Sequence, residues 1–244
     1  MKKILILLAA AARAQAPAPD SADLIVEYRC PPARRTSLRH AMETEGLRNF
    51  AAWKQSGLLE NYRPLFTRYV DNNHWDMLAI LSFRRHADLA RWRDVEAAHP
   101  AGLPAGALDL VNSISTYPAS LARSTAPTDA PQQPVYLVIP YNFQVTPAVD
   151  LHYADDYVKP QLDGWRKEGI LAGFGLYLQR YTAARPWDAL LGLEYRDDEA
   201  LGQREAIVAG VRQQLQQNPA WKAIADSKQN IRTEKEAIVA DELR

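Results

Sequence analysis

Aromatic and amide side chains alternate along the two arms of a hairpin predicted in the C-terminal half of the chain. If the arms pair about a centre near residue 184, alternate residues share one face of the sheet. Buried tyrosine and tryptophan need hydrogen-bond partners, which a polar ligand could supply. The predicted ligand-binding residues are Tyr177, Gln179, Tyr181, Trp187 and Tyr195, with Tyr141 and Asn142 at the rim. The alternative is that the tyrosines pack against helices and bond to the backbone.

Other patterns that carry chemistry are absent from the sequence. The five histidines lack metal-ligand spacing, and no P-loop, dinucleotide fingerprint or nucleophile elbow occurs. His40 and His152 hold equivalent positions in an internal repeat, but His152 lies beside the apolar stripe of its helix and is expected to be solvated. A shaped apolar pocket with a few polar groups needs neither metal nor cofactor. We therefore expect a small-molecule pocket without either.

Composition excludes several partners. The 244 residues include 29 basic and 29 acidic side chains, so the formal net charge is zero. No basic field exists to hold nucleic acid or an anionic membrane. Hydrophobic residues make up 47% of the chain, which is enough for a sizeable core. Cys30 is the sole cysteine, so no internal disulfide is expected.

The N-terminus has the pattern of a secretory signal. Lys2 and Lys3 precede the apolar stretch 4–12, and Ala12-Arg13-Ala14 gives a small-residue cleavage site. We expect residues 1–14 to be a signal peptide and the protein to be exported, either periplasmic or secreted. The apolar stretch is too short to span a bilayer, so no membrane association is expected after cleavage. A retained membrane anchor is the alternative.

The internal repeat appears when the chain is aligned with itself so that position 50 is set against position 162. Residues 50–89 then share 11 identities with residues 162–201 without a gap. Trp53 falls on Trp165, and Gly57 falls on Gly169. This match predicts a tandem duplication. Residues that are set against each other in this alignment are called equivalent below.

Each copy has the same predicted order of elements, β-α-β-β-α-β. The chain is predicted to be α+β: two tandem ferredoxin-like repeats that form an α/β barrel within one chain, as a monomer or homodimer. The first repeat covers 23–120, and the second covers 135–244. A polar, proline-rich linker covers 121–134. Since Pro160 lies within the first helix of the second repeat, that helix should kink or split.

An arginine–aspartate pair that occurs in both copies has a structural explanation. Pairing about the two hairpin centres sets Arg68 opposite Asp76 and Arg180 opposite Asp188. Opposed charges stabilise a hairpin by roughly 0.2–1 kcal/mol per pair. A cross-strand pair would explain why both copies keep these residues.

Three segments carry a resemblance to a known superfamily. They are Gly-Trp-Arg-Lys-Glu-Gly-Ile-Leu at 164–171, the strand at 187–195, and Asn-Pro-Ala-Trp at 218–221. With the repeat, they resemble the dimeric α/β-barrel superfamily, in its NIPSNAP-type or antibiotic-biosynthesis-monooxygenase-type forms. The resemblance implies a cofactor-free monooxygenase; a non-enzymatic small-molecule binding or interaction module is the alternative.

The same resemblance raises haem binding or haem degradation as a third alternative. Barrel enzymes that open haem combine an asparagine after strand one, a tryptophan on a strand and a histidine about ten residues later. The second copy offers Asn142 and Trp187 but has acidic residues at 197 and 198 where the histidine belongs. The first copy offers Trp75 and His86 without the asparagine. Neither set is complete.

Overall fold

A computed structural model describes residues 20–129, 131–183 and 185–244. The predicted signal peptide, residues 1–14, lies outside the described residues. Within the described part, no helix has the length and apolarity that a membrane crossing requires.

The first half of the chain, residues 22–125, runs β-α-β-β-α-β. Its first strand leads into a helix that is interrupted by a π-helical turn at Met42–Gly46, and a hairpin and a short helical pair follow. The elements are β1 Ala22–Arg29, α1 Arg35–Ala41, α2 Leu47–Gln55, β2 Asn61–Thr67, β3 Met77–Phe83, α3 Asp88–Ala98, α4 Ala105–Leu108 and β4 Ser113–Thr125. The last strand therefore continues into the segment predicted as a linker.

The second half, residues 135–242, repeats this order with a longer second helical region. Its last strand is broken at residues 235–237. The elements are β5 Val135–Phe143, α5 Pro147–Tyr153, α6 Lys159–Lys167, β6 Leu171–Gln179, β7 Ala189–Tyr195, α7 Asp198–Gly202, α8 Arg204–Leu215, α9 Pro219–Ser227, β8 Arg232–Glu234 and β9 Ile238–Glu242.

The first helical region of each half begins and ends at equivalent residues. This holds for α1 and α5, for α2 and α6, and for the π-helical turns Met42–Gly46 and Ala154–Val158 between them. Pro160 lies in the first turn of α6, where its missing N–H costs no helical bond. Since the first half has the same interruption without a proline, Pro160 is not its cause. Gly57 and Gly169 follow the helices with φ of 71° and 83°, conformations that favour glycine.

Eight antiparallel strands close into a barrel. The strand order is β7-β6-β4-β1-β3-β2-β9-β5, and β5 pairs with β7 to complete the circle. The short ninth strand, β8, pairs with β5 beside β9 and in line with it. The halves join where β4 pairs with β6 and where β2 pairs with β9. The predicted α+β barrel within one chain is thus confirmed.

Two helical layers and the barrel interior hold three separate cores. In β1, Leu24 and Val26 face the first-half helices, whereas Ile25 points into the barrel. In β5, Leu137 and Ile139 face the second-half helices in the same way. Because β3 and β5 are covered on both faces, their apolar runs are nearly continuous.

The predicted hairpin register is wrong by one residue in both halves. Leu65 pairs with Leu78, and Tyr177 pairs with Leu190, where the sequence prediction paired them with residues 79 and 191. A one-residue slip exchanges the faces of one arm relative to the other. The hairpin loops span about nine residues each, so no tight turn fixes the register.

The predicted cross-strand pairs Arg68–Asp76 and Arg180–Asp188 do not form. Asp76 accepts a hydrogen bond from the Cys30 backbone N–H at 2.7 Å, and Asp188 accepts one from Phe143 N–H at 3.1 Å. Each aspartate thus fixes the end of the first strand of its own half. This shared role gives a physical reason for the repeated Trp-Asp pair.

The two repeated arginines have other partners. Arg68 forms ion pairs with Asp198 and Asp241 of the second half. Arg180 donates to the Ser120 hydroxyl at 2.8 Å and to the Ser21 carbonyl at 2.7 Å. Both arginines therefore tie the two halves of the barrel together.

Candidate functional site

A cavity of about 380 Å³ occupies one end of the barrel interior. It lies where β1, β2, β5 and β6 begin and where β3 and β7 end. Its size is within the range of small-molecule sites. We call it the barrel cavity. Its lining includes Asp23, Arg63, Leu65, Ile80, Ser82, Tyr136, Val138, Gly175, Tyr177, Leu190, Gly192 and Glu194.

The floor of the barrel cavity is apolar. Leu65, Ile80, Val138 and Leu190 belong to the core that fills the barrel interior. Gly192 lies on the wall, and a Cβ built there would meet no atom closer than 3.8 Å. The missing side chain therefore leaves open space that an organic ligand could fill.

Tyr177 points from β6 into the barrel cavity with a hydroxyl that has no hydrogen-bond partner among the described residues. The side chain is only 7% exposed, and burial raises its pKa to about 12, with the Asp23 carboxylate adding to the rise and Arg63 opposing it. The hydroxyl itself is open to the cavity, where water can bond to it. A polar ligand that bonds to Tyr177 would take the place of that water.

Asp23 is a buried carboxylate on the cavity wall. It accepts a hydrogen bond from the Ser82 hydroxyl at 2.7 Å and from the Leu121 N–H at 2.9 Å. Burial raises the pKa of Asp23, and these two hydrogen bonds offset part of that rise. Both donors are neutral, so the negative charge is solvated by dipoles alone.

Arg63 and Glu194 face each other across the mouth of the barrel cavity. The guanidinium and the carboxylate are 3.6 Å apart, which is an ion pair with loose geometry. The guanidinium also lies 5.2 Å from the centre of the Tyr136 ring. Burial raises the pKa of Glu194, and Arg63 opposes this shift.

The opposite end of the barrel interior is filled. Trp187 donates its indole N–H to Glu27 at 3.2 Å, and its ring lies 4.9 Å from the ring of Tyr117. Burial raises the pKa of the Glu27 carboxyl, and the Trp187 hydrogen bond opposes this shift. Trp187 therefore has its partner within the protein.

The structure brings two of the seven predicted site residues, Tyr177 and Trp187, into the barrel core, but only Tyr177 lines the cavity. Tyr195 faces the helices instead, because of the register slip, and Tyr141 of β5 also faces them. Tyr181 lies beyond β6 and is 65% exposed. The predicted face that joins Tyr177, Gln179 and Tyr181 to Trp187 and Tyr195 does not form as one surface.

The two amides lie away from the cavity. Gln179 pairs with Ala119 and donates to the Tyr181 carbonyl at 3.1 Å. Asn142 pairs with Thr233, and its buried Oδ1 has no partner among the described residues.

The sequence prediction missed Asp23, Arg63 and Glu194. Each is a charged residue within a strand that is largely apolar, and this pattern was the signal available. A buried charge is costly unless something pairs with it. Asp23 and Glu27 lie on the same face of β1, so they point to a polar barrel interior.

A second polar cluster lies between β5 and the helices of the second half. Asp150 is fully buried, and neither carboxylate oxygen has a hydrogen-bond partner among the described residues. Burial raises its pKa to about 6, against the opposing charge of Arg232. The Arg232 guanidinium lies 4.6 Å from the Tyr141 ring centre and 5.4 Å from that of Tyr153.

The chain was compared with protein families, curated proteins and solved structures. No family model and no curated protein matches it. Candidate monooxygenases from Lactobacillus acidophilus NCFM and Fusobacterium nucleatum superpose with TM-scores of 0.54 at 13% and 14% identity; the matches cover 92% of this chain and 94% and 93% of theirs. A mutant chlorite dismutase from Candidatus Nitrospira defluvii gives 0.53 at 12% identity, covering 92% of both chains. This chain shares its α+β barrel fold with these proteins. At these identities the likeness shows the fold alone.

The described residues do not fit haem. His40, His86 and His152 are exposed, and none of the five histidines lines the barrel cavity. Three carboxylates line that cavity, and they would repel the propionates of haem. The space between the second-half sheet and its helices is filled by Tyr153, Tyr157, Trp165 and Trp221, among other side chains. In the described part of the chain, no group of histidine, cysteine or acidic side chains could hold a metal ion.

Proposed function

We propose that this protein binds a small organic molecule in the barrel cavity. The observation that carries the proposal is Tyr177, a side chain only 7% exposed whose hydroxyl lacks a partner among the described residues and faces a cavity of about 380 Å³ inside the barrel. Protein interiors are packed with few voids larger than a water molecule, so such a space beside a polar group marks a binding site.

The wall of the barrel cavity defines the kind of molecule that fits. An apolar body would contact Leu65, Ile80, Val138 and Leu190, and each CH₂ group that leaves water there contributes about 0.8 kcal/mol. A polar group on the same molecule would reach the Tyr177 hydroxyl. This combination favours compact molecules with one polar end, such as a substituted bicyclic aromatic.

A substitution that fills the cavity tests the site. Gly192→Ile places a side chain in the open space without a clash at Cβ, and isoleucine is the residue at the equivalent position 80. In calorimetric titrations with 2-naphthol, we expect saturable binding by the wild type and at least a tenfold loss in Gly192→Ile. Gly210→Ile, at an exposed glycine with open space, is the control and should bind as the wild type does.

The native ligand can be sought directly. Mass spectrometry of small molecules released from the purified protein should find one that Gly192→Ile fails to retain. If wild type and Gly192→Ile retain and bind the same compounds equally, the barrel cavity is not a ligand site.

A cofactor-free monooxygenase is the second candidate function. The sequence resemblance supports it, and so do the structural neighbours that are candidate monooxygenases. In such a reaction, dioxygen is the oxidant and the ligand supplies the electrons: a CH₂ group of the ligand becomes C=O with one oxygen atom, and its two hydrogens leave with the other oxygen atom as water. The Asp23 carboxylate on the cavity wall could accept the proton whose removal activates the ligand. Oxygen consumption with the released ligand separates this function from binding without turnover.

Two further proposals concern the origin and location of the chain. The helical bounds that recur at equivalent residues support a tandem duplication of one ferredoxin-like unit, related to NIPSNAP-type or antibiotic-biosynthesis-monooxygenase-type domains. The basic and apolar start of the sequence supports export. N-terminal sequencing of protein from its native host should then find a chain that begins near Gln15; a chain that begins at Met1 would refute export.

A further inference from the structure

The charges that line the barrel cavity are unequal. Three carboxylates, Asp23, Glu60 and Glu194, line it together with one guanidinium, Arg63. Glu60 is exposed, whereas Asp23 and Glu194 are buried. The cavity therefore has an excess of negative charge in surroundings that screen it weakly.

Arg63 does not neutralise the whole set. Its nearest acid is Glu194, and its guanidinium lies close to the Tyr136 ring. The Glu242 carboxylate, on the neighbouring strand β9, also raises the pKa of Arg63. One cation thus already serves Glu194 and Glu242.

Asp23 has no basic partner of its own among the described residues. Its hydrogen bonds come from Ser82 and the Leu121 N–H. Arg180 and Glu60 act on it only at longer range and with opposite sign. The Arg180 guanidinium is held by Ser120 and the Ser21 carbonyl, so it cannot turn towards Asp23 without breaking those bonds.

We propose that the ligand of the barrel cavity is an organic ammonium ion whose charged nitrogen pairs with Asp23. The inference rests on the proposed binding function and narrows its ligand class. The ammonium group donates to the Asp23 carboxylate, and the Tyr177 hydroxyl beside it accepts a further N–H bond. The apolar body occupies the floor formed by Leu65, Ile80 and their neighbours.

The chemistry of the pairing favours a cation over other charge states. An ammonium adds the missing positive charge next to a buried carboxylate, and hydrogen bonds between charged groups are about twice as strong as neutral ones. A carboxylate ligand would meet the net negative lining. A neutral alcohol would satisfy Tyr177 but leave Asp23 without a counter-charge.

Three probes of one shape measure this preference. They are 2-naphthylmethylamine, 2-naphthalenemethanol and 2-naphthoic acid, titrated into the full chain by calorimetry at pH 7. We expect the amine to bind at least tenfold tighter than the alcohol and the acid to bind most weakly. Asp23→Asn should bring the amine and the alcohol within about threefold of each other, whereas Glu205→Gln, at an exposed acid of α8 away from the cavity, should leave the preference in place.

A pH titration of the wild type supplies a second measurement if Asp23→Asn does not fold. The amine should bind more weakly as pH falls towards the raised pKa of Asp23, while the affinity of the alcohol stays constant. Glu60 and Glu194 also face the cavity, so the titration is repeated in Glu60→Gln and Glu194→Gln; the pH dependence should persist in both.

The outcomes separate this inference from the proposed function. If the alcohol or the acid binds as tightly as the amine, and Gly192→Ile abolishes that binding, the cavity is a ligand site but the ligand is not a cation. If Gly192→Ile changes the binding of none of the probes, the proposed site falls and the inference falls with it.

Discussion

The helix-facing sides of the two halves differ at equivalent positions. In the first half, the guanidinium of Arg35 donates to Asp76 and to the Thr67 hydroxyl and carbonyl, so each member of this buried group is bonded. In the second half, Pro147 is equivalent to Arg35, and Asp188 receives a hydrogen bond only from the Phe143 N–H. The same layer also contains Asp150, which lacks a hydrogen-bond partner among the described residues.

This difference shows that one fold can be held together by polar bonds in one half and carry unbonded polar groups in the other. Removing one partner of a buried ion pair strongly destabilises a protein. Substitutions at Arg35 or Asp76 in the first half should therefore be costly. Both helix layers also contain packed rings: in the first half Trp53 meets Trp92 edge-on at 5.3 Å, and in the second half Tyr157 stacks on both Tyr153 and Trp221 at 4.9 Å.

The largest expected effect comes from breaking the first-half group. Asp76→Ala leaves the Arg35 charge buried and unpaired, which should lower the free energy of unfolding by about 3–5 kcal/mol. The matched Asp188→Ala removes one hydrogen bond and should cost about 1 kcal/mol. Urea unfolding of both variants measures the gap; equal losses would mean that the halves are held alike.

The next effect is the pH dependence of the second half. Asp150 has a folded-state pKa of about 6, raised from 3.8, so the folded protein binds its proton more tightly than the unfolded chain does. The free energy of unfolding should therefore fall as pH rises through this window, by up to about 3 kcal/mol. Asp150→Asn should make this slope shallower between pH 4 and pH 7; burial also raises the pKa of Asp23, Glu27 and Glu194, which supply the slope that remains.

A matched first-half variant provides the control for Asp150. Leu38 is the equivalent residue of the first half, is fully buried and carries no charge. Leu38→Asn should lower stability by an amount that does not change with pH. A pH slope that is as steep in Asp150→Asn as in the wild type would assign the effect to other groups.

A smaller effect should be equal in the two halves. Gly57 and Gly169 have positive φ, and a Cβ at either position would meet no atom within 4 Å. Gly57→Ala and Gly169→Ala should each cost about 1 kcal/mol, through backbone strain alone. Thermal unfolding should show melting temperatures within about 2 °C of each other. A larger cost in one half would mean that the two helix ends are not equivalent.

The smallest effect concerns the exposed tyrosines after β2 and β6. Tyr69 and Tyr181 are 68% and 65% exposed, so Tyr69→Phe and Tyr181→Phe should each change the free energy of unfolding by less than about 0.5 kcal/mol. Ligand binding should not change in either variant. Weaker binding in Tyr181→Phe alone would restore Tyr181 as a site residue.

The sequence predicts the order of elements well because that order is written in local periodicity and in the repeat. The register of the hairpins is different, since it depends on long loops that no turn signal fixes. That error put Tyr195 on the same predicted face as Tyr177, although Tyr195 faces the helices and Tyr177 faces the barrel interior. The barrel cavity was missed for another reason: Asp23, Arg63 and Tyr177 meet only after distant strands have paired.

Closure of the barrel within one chain has a consequence for how its interior can vary. Several cavity positions are equivalent in the two halves, yet each pair holds unlike residues: Arg63 and Gly175, Leu65 and Tyr177, Ile80 and Gly192, and Ser82 and Glu194. Two identical chains would carry the same side chain at both members of every pair, and a single mutation would alter both at once. In a single chain each member mutates independently. The barrel cavity can therefore be asymmetric, and it can distinguish one end of an asymmetric molecule from the other.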